Sequence, residues 1–395
     1  MRTQAPGTFI IGSFGRHLQA RVFVSTIKII YRLVALFVII SAFGFIQDGC
    51  LTTAYATHPR YTEHDLPGHP EHAGRIRAVW RQLEELGLAA RMKAVEVHPA
   101  YRDLLLTVHM PQYLDILAWI EGTQHRIVHL DADTYACPTS YEVAQLAAGG
   151  IVGAINEVLG GRADNGLAVV RPPGHHALPN HAMGFCLLGN IAIGARYAQR
   201  AHGISRVLIV DFDVHHGNGT EAMFYDDDTV LFVSTHQSPF YPGTGHISDT
   251  GTGKGRGYTI NIPLSAGHGD SSYARIFEEV VWPAARRFQP ELILVSAGFD
   301  AHWADPLAQM RLSLTGYDHI TRELIKMASE LCGGKIVFVM EGGYHLDALS
   351  HGWRNIAHAL LGDQEISDPL GPPQDGRQEP NVRPVIEQTR KIHGL

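Results

Sequence analysis

The 395-residue chain is 45% hydrophobic and 18% charged, with a formal net charge of −7 at pH 7. That composition can build one large α/β core or two smaller ones, while the negative balance, with no basic run, argues against a general nucleic-acid binder. Four cysteines (Cys50, Cys137, Cys186, Cys332) lie far apart with no C-x-x-C pair, which speaks for reduced thiols over a disulfide framework or a cysteine metal site. The 24 histidines direct attention to metal or acid–base chemistry.

Residues 1–50 differ from everything after them. Leu33 to Ile46 is apolar apart from Ser41, Ile27 to Tyr31 nearly extends it, and Arg16, Arg21, Lys28 and Arg32 precede it. Ala54-Tyr-Ala56 has the form of a cleavage site. Two readings fit: a signal or membrane anchor over residues 27–46, or an upstream extension outside the working domain. The first implies an anchored or exported protein, the second a cytoplasmic one. Cleavage at Ala54-Tyr-Ala56 would cut into the first strand of the domain.

From Leu51 a βα order sets in. Leu51–His58 reads as a strand, and His69 to His72 leads into a helix with Ile76, Val79, Trp80, Leu83 and Leu86 at core spacing, closed by Gly87. A second helix, Tyr141–Leu159, carries Val143, Leu146, Ala147, Ala154, Ile155 and Val158 inward. Apolar runs at Leu167–Val170, Val207–Val210, Val230–Val233, Tyr258–Ile262, Leu292–Val295 and Ile336–Met340 predict strands. Helical patterns lie between several of them, notably Ser272–Phe288 and Tyr317–Leu331. Such alternation predicts a mostly parallel sheet covered on both faces. The stretch after 365 is rich in Pro, Asp, Gln and Glu and reads as a mobile tail, which leaves 51–365 as the domain.

In an open parallel sheet, ligands bind outside the carboxyl ends of the strands. Four apolar runs here are followed by chemistry: Arg171-Pro-Pro-Gly-His-His176, Asp211-Phe-Asp-Val-His215, Ser296-Ala-Gly-Phe-Asp300 and Glu341-Gly-Gly-Tyr344. Asp211, Asp213 and His215 alternate, so period two sets them on one side. Asp213, His215 and Asp300 can supply two carboxylates and an imidazole, a donor set of the zinc type with a position left open. The bland alternatives are a solvated Asp/His/Gly turn, Asp300 as the N-cap of a helix over Ala301–Ala304, core histidines at His175 and His176, and a buried Tyr344 with a satisfied hydroxyl.

Taken together, these stretches resemble the histone deacetylase and acetylpolyamine amidohydrolase family, which has the single-domain arginase–deacetylase α/β fold. The resemblance runs from about Thr52 to Asp363 and also includes Gly184-Phe-Cys186, Pro242-Gly-Thr-Gly245 and Asp213-Val-His-His-Gly-Asn-Gly-Thr220. It implies a zinc-dependent amidohydrolase acting on acetylated lysine or another acetylated amine, with one Zn2+ held by Asp213, His215 and Asp300. His176 is the implied general base and acid, His175 its electrostatic companion paired with Asp211, and Tyr344 the carbonyl-polarising hydroxyl. Gly184, Phe185 and Tyr241 match the substrate tunnel, and Leu307 stands where polyamine-selective relatives carry an acid. Asp211, Asp213 and Ser234 match a structural potassium site. The partner of His176 is an aspartate in some members and Asn218 here, as in the class II branch.

Three other readings stay open. An acetylpolyamine or small-metabolite substrate is one, with Asp65 and Glu63 as candidate acids near the rim. A binuclear arginase-like hydrolase is disfavoured by Gly217, which stands where a further aspartate ligand would be. An inactive acyl-lysine binding module would keep the pocket without the chemistry.

Overall fold

The computed structural model describes Met1, Gln4, Gly7 and residues 51–123 and 127–395. The leader at 1–50, including the 27–46 segment read as an anchor, therefore lies outside the described residues apart from three isolated positions. Among the described residues no helix is long and apolar enough to cross a membrane.

In chain order the strands are β1 (Thr53–Ala56), β2 (Lys93–Ala94), β3 (Val128–His129), β4 (Tyr135–Ala136), β5 (Asn165–Ala168), β6 (Val207–Asp211), β7 (Val230–Gln237), β8 (Thr259–Leu264), β9 (Leu292–Ala297) and β10 (Ile336–Met340). Eight of them form one sheet in the order β2-β1-β5-β10-β9-β6-β7-β8, and every pairing in it is parallel. β3 and β4 form a separate antiparallel hairpin. The central strands are continuous apolar runs because both faces are covered: every residue of β6, β9 and β10 is buried. One layer of helices contains Ser140–Leu159 and Asn190–His202, which pack on each other. The other contains Gly74–Trp80, Leu314–Cys332 and Leu346–Leu360. The chain leaves β5 for β6 and later fills the two places between them with β9 and β10, so the loops after β5, β6, β9 and β10 meet at one end.

The α/β class and the doubly covered parallel sheet agree with the sequence expectation, with four local corrections. β5 begins two residues early, at Asn165, and Val169–Val170 open the site loop instead. Leu86 is 53% exposed rather than in the core, since the first helix widens into a π turn at Arg81–Glu85 and rotates its face before Gly87 (φ +74°) ends it. No helix follows Asp300, so it caps nothing. Residues 366–395 are not a loose tail: Leu51–Leu395 is one compact unit, and Arg383–His393 is a helix with Ile386 fully buried. Glu379 accepts the N–H groups of Gly269, Ser271 and Ser272 at 2.9–3.0 Å, capping from afar the helix Asp270–Ile276, which lacks a side-chain cap of its own. An acidic, proline-rich composition hid a capping role that only the fold supplies.

Candidate active site

The turn after β6 supplies the centre of the site. Asp211 ends β6, in register with Ser234 on β7 and Ser296 on β9. Beyond it, backbone N–H groups shape the turn around carboxylates. Asp213 donates to Asp211 Oδ1 (3.1 Å), His215 to Asp213 Oδ1 (2.9 Å) and Val214 to Asp300 Oδ1 (2.9 Å). From the loop after β10, Gly342 donates to Asp213 Oδ2 at 2.8 Å. These bonds bring ligand atoms of Asp213, His215 and Asp300 within 4.8 Å of one another, with His215 Nδ1 3.2 Å from both Asp213 Oδ1 and Asp300 Oδ2. A Cβ on Gly298 would fall 2.0 Å from Asp213 Oδ2, and one on Gly342 2.2 Å from Asp300 Oδ2, so both positions need glycine for the carboxylates to converge.

The three residues could hold a metal ion. Asp213 and Asp300 are fully buried, and beyond their backbone N–H donors the two carboxylates share one imidazole nitrogen. The excess negative charge is what a divalent cation would neutralise. Burial works against a charged His215, yet its bonds to Asp213 and Asp300 raise it to about 10. Burial likewise opposes Asp213, but His175 and His215 hold it well below the usual carboxylate range, while burial and Asp213 push Asp300 upward. A second group, His175, Cys186 and Glu341, also lies within 4.8 Å. Its donors are committed elsewhere. Glu341 Oε2 accepts from the N–H of Gly174 (2.7 Å) and of His175 (3.2 Å), its Oε1 from Ser296 Oγ (3.2 Å), and burial holds the Cys186 thiol well above its ordinary value.

The loop after β5 places the two histidines side by side, ring centroids 4.0 Å apart. His176 Nδ1 lies 2.7 Å from Asn218 Oδ1. A carbonyl oxygen only accepts, so Nδ1 carries the hydrogen and Nε2 keeps its lone pair. Burial, together with His175 and His215, holds His176 well below the ordinary histidine value, hence neutral. His175 Nδ1 is 3.1 Å from Asp211 Oδ2; burial opposes its charge, but Asp213 and Asp211 raise it to about 10. The pair is therefore one cation and one base. The Ser234 hydroxyl pairs with His236 Nδ1 at 3.0 Å, beside Asp211.

Gly184, Phe185, Tyr241 and Leu307 line one cavity of about 230 Å³ together with His176, His215 and Tyr344. A Cβ on Gly184 would meet His176 Cδ2 at 2.4 Å, so a side chain there would displace the imidazole. Phe185 stands edge-on to Tyr344 (5.8 Å) and His69 (4.7 Å), and Tyr241 edge-on to His176 (5.3 Å). Phe185 has φ +69°, and its N–H donates to Thr134 Oγ1 at 3.0 Å. Burial raises the Tyr344 phenol well above its ordinary value, so it stays protonated and able to donate.

Several site residues escaped the sequence reading. Asp133, at the β3–β4 hairpin, completes the cavity lining; the acids that reading singled out, Asp65 and Glu63, are not among the lining residues. Phe240 stacks on His215 at 5.3 Å and 20°. Fully buried Arg75 lies 4.9 Å over the Tyr344 ring and donates to the carbonyls of Glu341 (2.5 Å) and Gly343 (2.8 Å). Glu71 ties Arg75 to Arg171, whose fork it accepts at 2.9 and 2.7 Å; Arg171 also donates to the carbonyls of Tyr61 and His64. Burial alone would raise Glu71, but these guanidinium groups, Arg171 foremost, hold it at about 2. Of these, only Arg171 had a signal, its place after an apolar run.

A histone deacetylase domain model matches residues 69–360. Histone deacetylase 14, chloroplastic, of Arabidopsis thaliana is 39% identical over 349 residues, covering 84% of this chain and 82% of the relative. A probable deacetylase of Archaeoglobus fulgidus is 40% identical over 316 residues, covering 79% and 87%. Among solved structures, the crystal structure of the HDA15 HD domain superposes with a TM-score of 0.78 at 36% identity, over 87% of this chain and 95% of that one. With the carboxyl-end cavity and its buried donor set, these matches make the chain a deacetylase that belongs to the histone deacetylase family.

Proposed function

We propose that the deacetylase acts on acetyl-lysine in proteins or peptides, with one zinc ion held by Asp213, His215 and Asp300. The observation that carries this reading is the convergence of those three ligand atoms, one of them on His215, which lines the same narrow cavity as His176 and Tyr344. When bound, such an ion supplies Lewis acidity at the scissile carbonyl.

The chain's own groups do the rest. His176 Nε2, neutral and unencumbered, takes a proton from the attacking water and returns it to the leaving amine. Asn218 fixes the tautomer this requires. His175, charged and tied to Asp211, keeps positive charge beside the reacting centre without competing for that proton. The Tyr344 phenol donates to the oxygen that gains charge as the carbonyl becomes tetrahedral. Phe185 and Tyr241 present ring surface to a methylene stem, which favours a lysine side chain. Asp211, Asp213 and Ser234 are the oxygen donors we assign to a structural potassium ion.

Leu307 gives a distant ammonium no partner, which favours the neutral stem of acetyl-lysine over a polyamine. Asp133 in the same lining favours the second reading, an acetylpolyamine. Kinetics on an acetyl-lysine peptide, N-acetylputrescine and N8-acetylspermidine decide between them. We expect higher kcat/KM for the peptide, and a tenfold preference for the polyamines reverses the assignment. Elemental analysis should find one zinc per chain, and two manganese ions would replace this reading with a binuclear one. We also assign residues 1–50 to a segment outside the catalytic unit. Removing them should leave activity intact, and an inactive product would show that they belong to it.

A further inference from the structure

Asp305 is 6% exposed and sits in the loop that follows Asp300. Its carboxylate accepts three backbone N–H groups from two separate loops. Oδ1 takes Leu307 at 3.0 Å, and Oδ2 takes Tyr344 at 2.7 Å and His345 at 3.1 Å. Burial and the like charge of Asp300 push its carboxyl up to about 7, and the three N–H dipoles oppose that shift. Leu307 and Tyr344 both line the cavity, 37 residues apart in sequence. The Tyr344 loop also contains Gly342 and Gly343, the latter at φ +114°, and so has little stiffness of its own.

We propose that Asp305 is a positioning residue for the deacetylation: one carboxylate clamps the rim at Leu307 to the loop that aims the Tyr344 hydroxyl. This rests on the role given to Tyr344 under Proposed function. Three N–H groups can be satisfied together only by a group that accepts on both sides. An amide of the same shape turns an NH2 toward one of the two loops and releases it. A displaced Tyr344 donates less well to the developing oxyanion, and a displaced Leu307 loosens the rim, so both kcat and KM register the loss.

The test is a double-mutant cycle on the zinc-loaded full chain with an acetyl-lysine peptide. Asp305→Asn should lower kcat about 10- to 100-fold and raise KM, with zinc content unchanged. In a Tyr344→Phe background the same substitution should cost less than about 3-fold more in kcat, because the hydroxyl it positions is already gone. Fully additive losses, or an Asp305→Asn enzyme with wild-type kcat, overturn the clamp. A Tyr344→Phe enzyme with undiminished turnover withdraws instead the reading beneath it, and the proposal with it; that single variant tells the two failures apart. Hydrogen exchange on the wild-type protein tests the geometry even if Asp305→Asn does not fold. The amides of Leu307, Tyr344 and His345 should be protected together, and exchange at the rate of exposed loop amides contradicts the clamp.

Discussion

The two ends of the parallel sheet carry ionisable groups in opposite ways. At the amino ends of β6 to β9 a cavity of about 530 Å³ is lined by Arg206, Asp228, Arg256 and Arg287. The Arg206–Glu291 pair there, at 2.9 Å, leaves its side chains 43% and 34% exposed. At the carboxyl ends the cavity is less than half that size, yet Asp211, Asp213, Asp300, Glu341, Glu71 and Arg171 around it are fully buried. Water compensates charge at the first end, so those pairs add little. At the second end only neighbouring protein groups, or a bound cation, can do so. Buried, strongly perturbed groups of this kind cluster at functional sites, and on that ground we assign the smaller cavity to the proposed chemistry.

That contrast can be broken from the carboxyl end. Arg171→Met should remove about 3–5 kcal/mol of stability, because it strips the bidentate partner from a buried carboxylate. Urea unfolding measures this, and a loss under about 1 kcal/mol would place the pair with the surface ones. The same variant alters acid tolerance. Glu71 is held at about 2 in the folded chain against an ordinary 4.5, so its contribution is complete above 4.5 and fades as pH falls through 2. Without Arg171 that fading should begin at higher pH.

His176→Ala should lower kcat by at least about 10²-fold, the scale of a lost general base and acid, with folding unaffected. A pH–rate profile identical to wild type would take His176 out of the chemistry. A finer change sharpens the same point. Asn218→Asp sets a carboxylate where Oδ1 now lies 2.7 Å from Nδ1, which favours the protonated imidazole. The acid limb of kcat/KM should move up by about 1 pH unit, since His176 must lose its proton to act as base. A stationary limb is the opposing result. The smallest effect belongs to the amino end. Arg206→Ala should change stability by less than about 1 kcal/mol and leave kcat untouched, and a large loss of either would erase the distinction between the ends.

What could be read from the chain alone follows from distance along it. Asp211, Asp213 and His215 are neighbours at the end of an apolar run, so their common side follows from period two, and Asp300 and Tyr344 declared themselves by the same placement after β9 and β10. Glu71, Arg75 and Asp305 act on groups 100, 268 and 39 residues away, and nothing in their local sequence marks them. Asp133 and Phe240 sit on loops without periodicity. The tail misled for a related reason: the ends of the chain are judged by composition, whereas Glu379 matters through a helix start more than 100 residues earlier.

Phe185 shows how function and durability pull apart in this protein. A phenylalanine at φ +69° sits where only glycine, and to a lesser degree asparagine, is at ease, at an expense of about 1–2 kcal/mol. Its N–H bond to Thr134 and its edge contacts with Tyr344 and His69 keep the ring upright at the cavity wall. A library selected for heat resistance alone should therefore enrich glycine or asparagine at position 185 and yield sturdier chains with an unwalled tunnel. One selected for turnover should hold the aromatic ring against that drift.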